Sequence, residues 1–532
     1  MEHLPKKSKL FLVLACVLSC AATLATTLCI YYGARILELA QNGQKGEVIW
    51  NIIFSVVTLL LSYLLNLAFA VFWMKYLCHT EVCLKEGIMK NLLARPWQGF
   101  RRHNGAYYLN LLTTDTDMYR TDRLSSITGI VEAAFSVLLS MVMLYVLNPW
   151  LCLAGAAVSL LPLSLNNLFT KKQQKTKKAY SQQSEQYTNS LKETVEGHET
   201  IHIQGDAGIF LNRFSQACEN KQKAYFSYAF TRNLNAQTLY MVASFANIAG
   251  LAVGGFLVLG GSLNAAMMLA ATGYFSSIAN GFSNGIENII TIRSTRGIRN
   301  KLLEEQSCPC PAASGAALEV QAAVSYEDVS FGFEGRELYS HFRKTFRPGE
   351  CCAIVGESGS GKSTLVKLLL KYYEDYTGTI RLGGRDIREL SEAEVFSRVT
   401  MVGQTPFLFN ASLYENITMF SGQPEQKSET YQSLLRSLNL EDLAQQVGDR
   451  PLGDFGDTIS GGERQRISMA RALRNHTGIM IFDEPTTGLD PENVRLIQDF
   501  IFNLRDVTRI VITHDRSEPF LKRFDDVIYI GS

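Results

Sequence analysis

"CCAIVGESGSGKSTLVKLLL", Cys351 to Leu370, decides how the second half of this chain is read. An apolar run ends at Gly356, a glycine-rich turn follows, and helix-forming residues resume at Lys362. Gly356-x-x-x-x-Gly361-Lys362-Ser363 is a complete phosphate-binding loop. Its glycines, Gly356, Gly359 and Gly361, let the backbone N–H groups of Glu357, Ser358 and Ser360 curl around a β-phosphate. Lys362 reaches the terminal phosphates, and Ser363, next to Thr364, supplies an oxygen for Mg²⁺. A mere glycine turn before a helix is set aside, because strand, loop and helix occur in order.

Working outward, "IMIFDEPT" places four apolar residues, Ile479 to Phe482, before two acids. Asp483 at a strand end suits a Mg²⁺ partner, and Glu484 suits a base for, or positioner of, attacking water. "RIVITHD" is a further apolar strand that ends at His514, which is thereby placed to reach a γ-phosphate. Gln404 closes the strand-like "RVTMVGQ". "TISGGERQRISMARAL", Thr458 to Leu473, sets a hydroxyl and two glycines before a basic helix. Free N–H groups at a helix start, with the positive end of the dipole behind them, make a second anion site.

The first half differs. The 532 residues carry a net charge of +1, which gives no bulk electrostatic case for a nucleic-acid partner. The 47% hydrophobic share averages two unlike halves. Six apolar spans lie near 10–32, 49–77, 125–147, 149–170, 236–260 and 263–288, each close to the roughly 20 residues a bilayer crossing needs. The first is not a cleaved leader, since its apolar run continues past Cys20 and further spans follow. The eleven cysteines lack paired spacing and read as reduced thiols, and Cys308 and Cys310 have no partner cluster for a metal. Lysine and arginine concentrate at the N-terminus and in segments 78–124 and 171–235, whereas the alternate connections are short. That bias puts both termini and the soluble half on the cytoplasmic side of a multi-pass protein of the plasma or inner membrane.

Each long basic segment reads as two helices with a break at the tip, near Phe100–Gly105 and near Gln204–Phe214. Phe210 and Phe214, four residues apart, share a face of the second tip. "SCPCPAASGAA", Ser307 to Ala317, is linker-like. The expected organisation is an all-α transmembrane domain over 1–306, a linker over 307–319 and an α/β P-loop ATPase domain over 320–532.

Together these parts resemble the ATP-binding-cassette (ABC) transporters, and the resemblance covers nearly the whole chain. Ile459-Ser460-Gly461-Gly462-Glu463 is similar to the family signature, with glutamate where glutamine is usual. Asp490 ends a D-loop-like "TTGLD", Gln404 stands at the Q-loop glutamine, and Phe333 in "VSFGFEG" matches the aromatic that stacks on adenine. "PFLFNASLYENI" and "GDFGDTISGGE", the latter with Asp454, are similar to exporter patterns. Six spans before one cassette resemble an exporter-type (type IV) half-transporter. The resemblance implies ATP and Mg²⁺ as ligands, with Mg²⁺ on Ser363, Gln404 and Asp483. It implies catalytic roles for Glu484 and His514. It also implies a second half-transporter, identical or not, whose nucleotide is capped by Ser460, Gly461 and Gly462. The loop tips then become coupling helices. Asn410, Asn416 and Asn475 match a glycosylation pattern but lie in the cytosolic half.

Ser276, Asn280, Ser283, Asn284 and Glu287 form a polar stripe on the sixth span, and Glu132 is the charge within the third. Asn66, Asn166 and Asn167 extend a possible lining. An amphiphilic cargo such as a drug, lipid or peptide, in contact with membrane lipid, fits this stripe. An importer of siderophore- or haem-like cargo on the same fold is the alternative, and a regulatory or channel-like relative is a third reading.

Overall fold

The computed structural model describes residues 5–103, 105–307, 323–333, 336–421, 429–453, 456 and 458–531. Asp454 and most of the expected linker lie outside the described residues. The chain divides into two units, Met1–Leu93 with Asn104–Cys308, and Ala94–His103 with Pro309–Ser532.

The first unit is helical. Its elements are α1 (Lys6–Gln41) and α2 (Lys45–Ala94), then, past α3 (Trp97–Arg101) of the second unit, α4 (Gly105–Asn110), α5 (Thr116–Met118) and α6 (Ser125–Leu147). There follow α7 (Pro149–Glu196), α8 (His198–Gln204), α9 (Ala207–Leu259), α10 (Ala265–Ser294) and α11 (Arg296–Ser307). α2 leaves Ile49, Ile53, Val57, Leu60 and Leu64 exposed, and Val56, Leu59 and Leu61 as well. A wide apolar face left uncovered belongs in lipid. Among the described residues four helical stretches are long and apolar enough to cross a membrane: Lys6–Gln41, Lys45–Ala94, Tyr107–Leu147 and Ala207–Leu259. The expected spans 149–170 and 263–288 fall within α7 and α10. The side chains of 158–170, with Asn166 and Asn167, lie outside the described residues.

Polar contacts tie α1 to α2. Ser8 Oγ lies 2.8 Å from His79 Nδ1, and Thr26 Oγ1 lies 2.7 Å from Ser62 Oγ. The turn into α7 is local chemistry, with Pro149 in the first turn and the Asn148 side chain accepting the Trp150 N–H at 2.9 Å. The second basic segment breaks twice, at Gly197 as well as at Gly205, because Gly197 ends α7 and α8 intervenes. Phe214 packs on Tyr187 with ring centroids 5.6 Å apart, so part of the tip's aromatic surface is used within the segment itself.

The second unit carries two sheets. β1 (Val324–Phe333), β2 (Arg336–Phe346), β4 (Thr377–Leu382) and β5 (Arg385–Asp386) form an antiparallel sheet in the order β2-β1-β4-β5. β3 (Cys351–Gly356), β6 (Val399–Val402), β7 (Ile479–Asp483), β8 (Thr508–Thr513) and β9 (Asp526–Ile530) form a parallel sheet in the order β6-β7-β8-β3-β9. Its helices are α12 (Lys362–Leu369), α13 (Glu392–Phe396), α14 (Leu413–Thr418), α15 (Glu429–Ser437), α16 (Glu441–Val447), α17 (Gly461–Arg474), α18 (Pro491–Asn503) and α19 (Glu518–Leu521).

β3, β7 and β8 are buried along their whole length, as parallel strands covered on both faces must be. Alternation sorts their side chains. Cys352, Ile354, Ile481 and Ile512 pack with Leu365 and Leu369 of α12 and with the antiparallel sheet. Ala353, Val355, Phe482 and Val511 pack with residues of α14 to α18.

The signature helix α17 is fastened by one polar knot. Asn416, fully buried, receives the Phe409 N–H at 2.9 Å and donates to the carbonyls of Phe409, Ala411 and Ser412. Arg471 of α17 donates to the Asn416 carbonyl at 3.0 Å and to the Phe407 carbonyl at 2.9 Å. A fully buried amide is no acceptor for a glycan. Asn416→Ala is expected to cost about 1–3 kcal/mol by stranding buried polar groups, seen as a lower melting temperature of the full-length chain. An unchanged melt would show that the knot does not hold α17.

Candidate nucleotide site

Parallel strands end on the same edge of their sheet, and loops at the carboxyl ends of such strands form ligand crevices. Here Gly356 ends β3, Asp483 ends β7, His514 follows β8 and Gln404 follows β6. The register sets Val402 beside Phe482, Asp483 beside Ile512 and Val355 beside Thr513. Residues far apart in sequence therefore arrive on one edge.

The loop from Gly356 to Gly361 closes around Lys362, which is 5% exposed. Its ammonium donates to the carbonyls of Gly356 at 3.0 Å and Glu357 at 2.8 Å. Burial lowers the lysine pKa, against the pull of Glu484 and Asp483. Gly361 has φ +101°, and a Cβ there would lie 2.7 Å from the Tyr339 hydroxyl. Only glycine serves at that turn. Ser360 Oγ is buried with no partner among the described residues, an orphaned hydroxyl in a loop that suits a phosphate oxygen.

Ser363 Oγ donates to Asp483 Oδ1 at 3.0 Å. Burial first, and then the charge of Glu484, raise the Asp483 pKa, while the Ser363 hydroxyl opposes the rise. These two oxygens are hard donors, and a site with one carboxylate and one hydroxyl suits Mg²⁺, which keeps waters and phosphate oxygens as its other ligands.

Glu484 sits at φ +49°, a left-handed conformation that costs a non-glycine residue about 1–2 kcal/mol. Its N–H is held by the Ile512 carbonyl at 3.0 Å. That backbone turn presents the carboxylate to three groups. His514 Nε2 lies 2.5 Å from Oε1, Gln404 Nε2 donates to Oε2 at 2.9 Å, and Thr487 Oγ1 stands 3.3 Å from Oε2. With Nε2 donating, His514 Nδ1 is an acceptor 3.5 Å from Lys362 Nζ. The structure places Gln404, expected on the metal, against Glu484.

Phe333 is 49% exposed, its ring meeting Phe331 at 5.2 Å and Tyr373 at 5.5 Å, both edgewise. The exposed remainder of the ring is available to a flat base.

Ser460, Gly461 and Gly462 stand apart from this cluster. Among the described residues no hydrogen bond joins them to the phosphate loop. Ser460 caps α17, and Gly462 lies against Asn493, whose Cγ would be 2.8 Å from a Cβ there. Asp490 caps α18, accepting from the N–H groups of Glu492 and Asn493 at 3.1 Å each. Asn493 Nδ2 donates back to Asp490, and Arg466 of α17 donates to Asn493 Oδ1. Thr487, Asn493 and Arg466 escaped the sequence reading. Thr487 could have been found three residues past Glu484, but the Asn493 contacts carry no linear signal.

In the same unit, α3 lies on cassette residues. Trp97 stacks on Tyr372 with centroids 4.9 Å apart, and its N–H donates to the Glu392 carboxylate at 3.0 Å. Burial raises the Glu392 pKa.

A phosphate loop, an acidic strand end and a capped glycine-serine helix, in a chain that also carries long apolar helices, define an ATP-binding, ATP-hydrolysing membrane protein. A family model described as ABC transporter transmembrane region matches residues 11–301, and one described as ABC transporter matches residues 339–487. The chain belongs to the ABC transporters and is an ATPase coupled to transport. The ATP-dependent lipid A-core flippase of Francisella novicida is 26% identical over 448 residues, covering 81% of this chain and 74% of that protein. The flippase of the same name from Haemophilus influenzae (strain 86-028NP) is 25% identical over 469 residues, covering 84% and 77%. The solved structure of a bacterial Atm1-family ABC exporter with ATP bound matches with a TM-score of 0.85 at 18% identity, over 99% of this chain and 94% of that one. The fold is therefore that of an exporter-type transporter.

If Glu484 handles the water proton, Glu484→Gln should keep ATP binding and lower hydrolysis by about 10²–10⁴-fold. Turnover at the parental rate would assign the role elsewhere.

Proposed function

We propose that this chain is one half of a dimeric exporter that moves an amphiphilic, lipid-like cargo out of the cytoplasmic side of a cell membrane. The observation that carries the catalytic part is the Glu484 carboxylate, gathered by His514 and Gln404 beside the Ser363–Asp483 pair. Ser363 and Asp483 would hold Mg²⁺, with Gln404 joining them after leaving Glu484. The ion would supply charge neutralisation between terminal phosphates. Glu484 would orient and deprotonate water, and His514 would hold Glu484 in place. The relatives' name, lipid A-core flippase, supports export and a lipid-like cargo. The clustering of lysine and arginine in alternate segments supports cytoplasmic termini. The boundaries 1–306 and 320–532 remain our division of the chain into its membrane and ATPase parts.

The bonding of the signature supports dimerisation. Ser460 is engaged with its own helix, and among the described residues no hydrogen bond ties it to the phosphate loop of the same chain. The N–H groups of Gly461 and Gly462, at the open start of α17, suit a nucleotide carried by a second copy.

The cargo's polar end would meet a cleft of about 440 Å³ between α6 and α10. Glu132, Ser136, Asn280, Asn284, Glu287 and Asn288 are among its lining residues. Carboxylates facing lipid are costly, so this face suits the inside of a transport path.

In proteoliposomes with the ATPase side outward, ATP should drive a fluorescent amphiphile into the lumen. Movement out of the lumen would instead favour the importer. Changing Glu132 and Glu287 together to Gln should weaken cargo stimulation of ATPase about tenfold and leave unstimulated turnover near parental. Equal stimulation in the double variant would remove the cleft from the path.

Mixing Lys362→Ala chains with Ser460→Arg chains leaves one intact composite site per mixed dimer. Those dimers should bind one ATP in a closed state, whereas either variant alone should bind none that way. Failure of every mixed dimer to close would argue against two shared sites in a homodimer.

A further inference from the structure

The residue that departs from the usual signature occupies the donors that the signature would offer. Ser460 N donates to Glu463 Oε2 at 2.8 Å, and Ser460 Oγ donates to the same oxygen at 2.7 Å. In return the Glu463 N–H donates to Ser460 Oγ at 3.3 Å. This is a complete capping box. A serine hydroxyl has one proton, and here that proton is spent on Glu463. Of the four N–H groups that open α17, that of Glu463 is spent on Ser460 Oγ, and the Glu463 charge already lies at the positive end of the dipole.

Arg466, one turn on, feels two carboxylates, those of Glu463 and Asp490. Arg464 and Arg466 match Glu463 and Asp490 in number, so position decides: the charge held on the Ser460 donors is the Glu463 carboxylate. Arg466 is also engaged with Asn493. Arg464 is the other cation of the first turns, and no carboxylate contact of its own is found among the described residues.

We propose that Glu463 is a built-in competitor for the partner's γ-phosphate: its carboxylate occupies Ser460 N–H and Oγ–H until that phosphate displaces it. This rests on the reading of Ser460–Gly462 as the surface that meets a second copy's nucleotide. The cap makes the resting helix start complete, so an arriving phosphate must break two hydrogen bonds and lie beside a like charge. The ATP concentration at which two cassettes close is thereby set high. A glutamine would keep the acceptor oxygen of the cap without the charge, and would let Ser460 turn outward.

The test uses full-length protein in nanodiscs, with ATPase measured against MgATP for the parent, Glu463→Gln, Glu463→Ala and Ser460→Arg. Glu463→Gln should lower the half-maximal ATP concentration, on the order of tenfold, since one unit charge near the phosphate is removed. The gap between Glu463→Gln and the parent should narrow as salt rises from 0.05 to about 0.5 M, because screening weakens a charge effect and not a packing effect. Glu463→Ala should shift the same way despite losing the cap. A half-maximal concentration in Glu463→Gln equal to or above the parent's would overturn the proposal, as would a shift indifferent to salt. So would a rise in Glu463→Ala, which marks a purely structural cap. Ser460→Arg separates the two levels. If it leaves ATPase intact, the shared-site reading itself fails. If it abolishes ATPase while Glu463→Gln changes nothing, only the competitor is lost.

Discussion

The parallel register of β6, β7, β8 and β3 is the constraint on which the rest of the cassette depends. Parallel pairing points every strand the same way, so four chain segments leave the sheet on one edge. Gly356, Gln404, Asp483 and His514 are separated by tens of residues and become neighbours for that reason alone. A strand reversed or slipped by one residue would carry Asp483 or His514 to the wrong edge or face. Full burial of β3, β7 and β8 makes such a slip costly, because alternate side chains are already committed to two different apolar layers.

On that edge the charges hold one another. Lys362 answers the carbonyls of its own loop, Asp483 answers Ser363, and Glu484 answers His514 and Gln404. Each group is paired before any phosphate enters, as buried polar groups must be. Nucleotide entry would then be an exchange of partners. Gln404 has the most to exchange, since it follows β6 and its amide reaches across to the carboxylate after β7. The signature behaves in the same way, with Glu463 as the provisional partner of Ser460.

The membrane helices obey a different solvent. Away from α1, α2 exposes leucine, isoleucine and valine over a wide face, which is stable only where no water competes. Serine, threonine and histidine pairs mark where α1 and α2 face each other. The polar lining between α6 and α10 departs from that apolar pattern. α3 is the exception of another kind. It follows directly on α2 and is spent on Tyr372 and Glu392 of the ATPase unit.

Much of this was written in contiguous residues. The phosphate loop, the acidic strand end, the signature and the apolar spans are short patterns whose chemistry follows from spacing alone, and the family followed from them. Periodicity also located the helical segments, including the break at Gly205, but it missed the one at Gly197, where a capping glycine sits in an otherwise helical run. What only the tertiary structure decided are pairings between distant residues. Asn416 with Arg471, Gly462 with Asn493, Glu484 with Gln404, and Trp97 with Tyr372 join segments that share no local pattern. Their geometry is set by which elements pack together, and packing depends on the whole arrangement of buried surface. Glu463 shows the boundary within one residue. Its identity as an unusual signature residue was legible in the linear chain. That its carboxylate turns back onto Ser460 is a matter of side-chain rotamer, fixed by the hydrogen-bond donors that the helix start leaves unpaired.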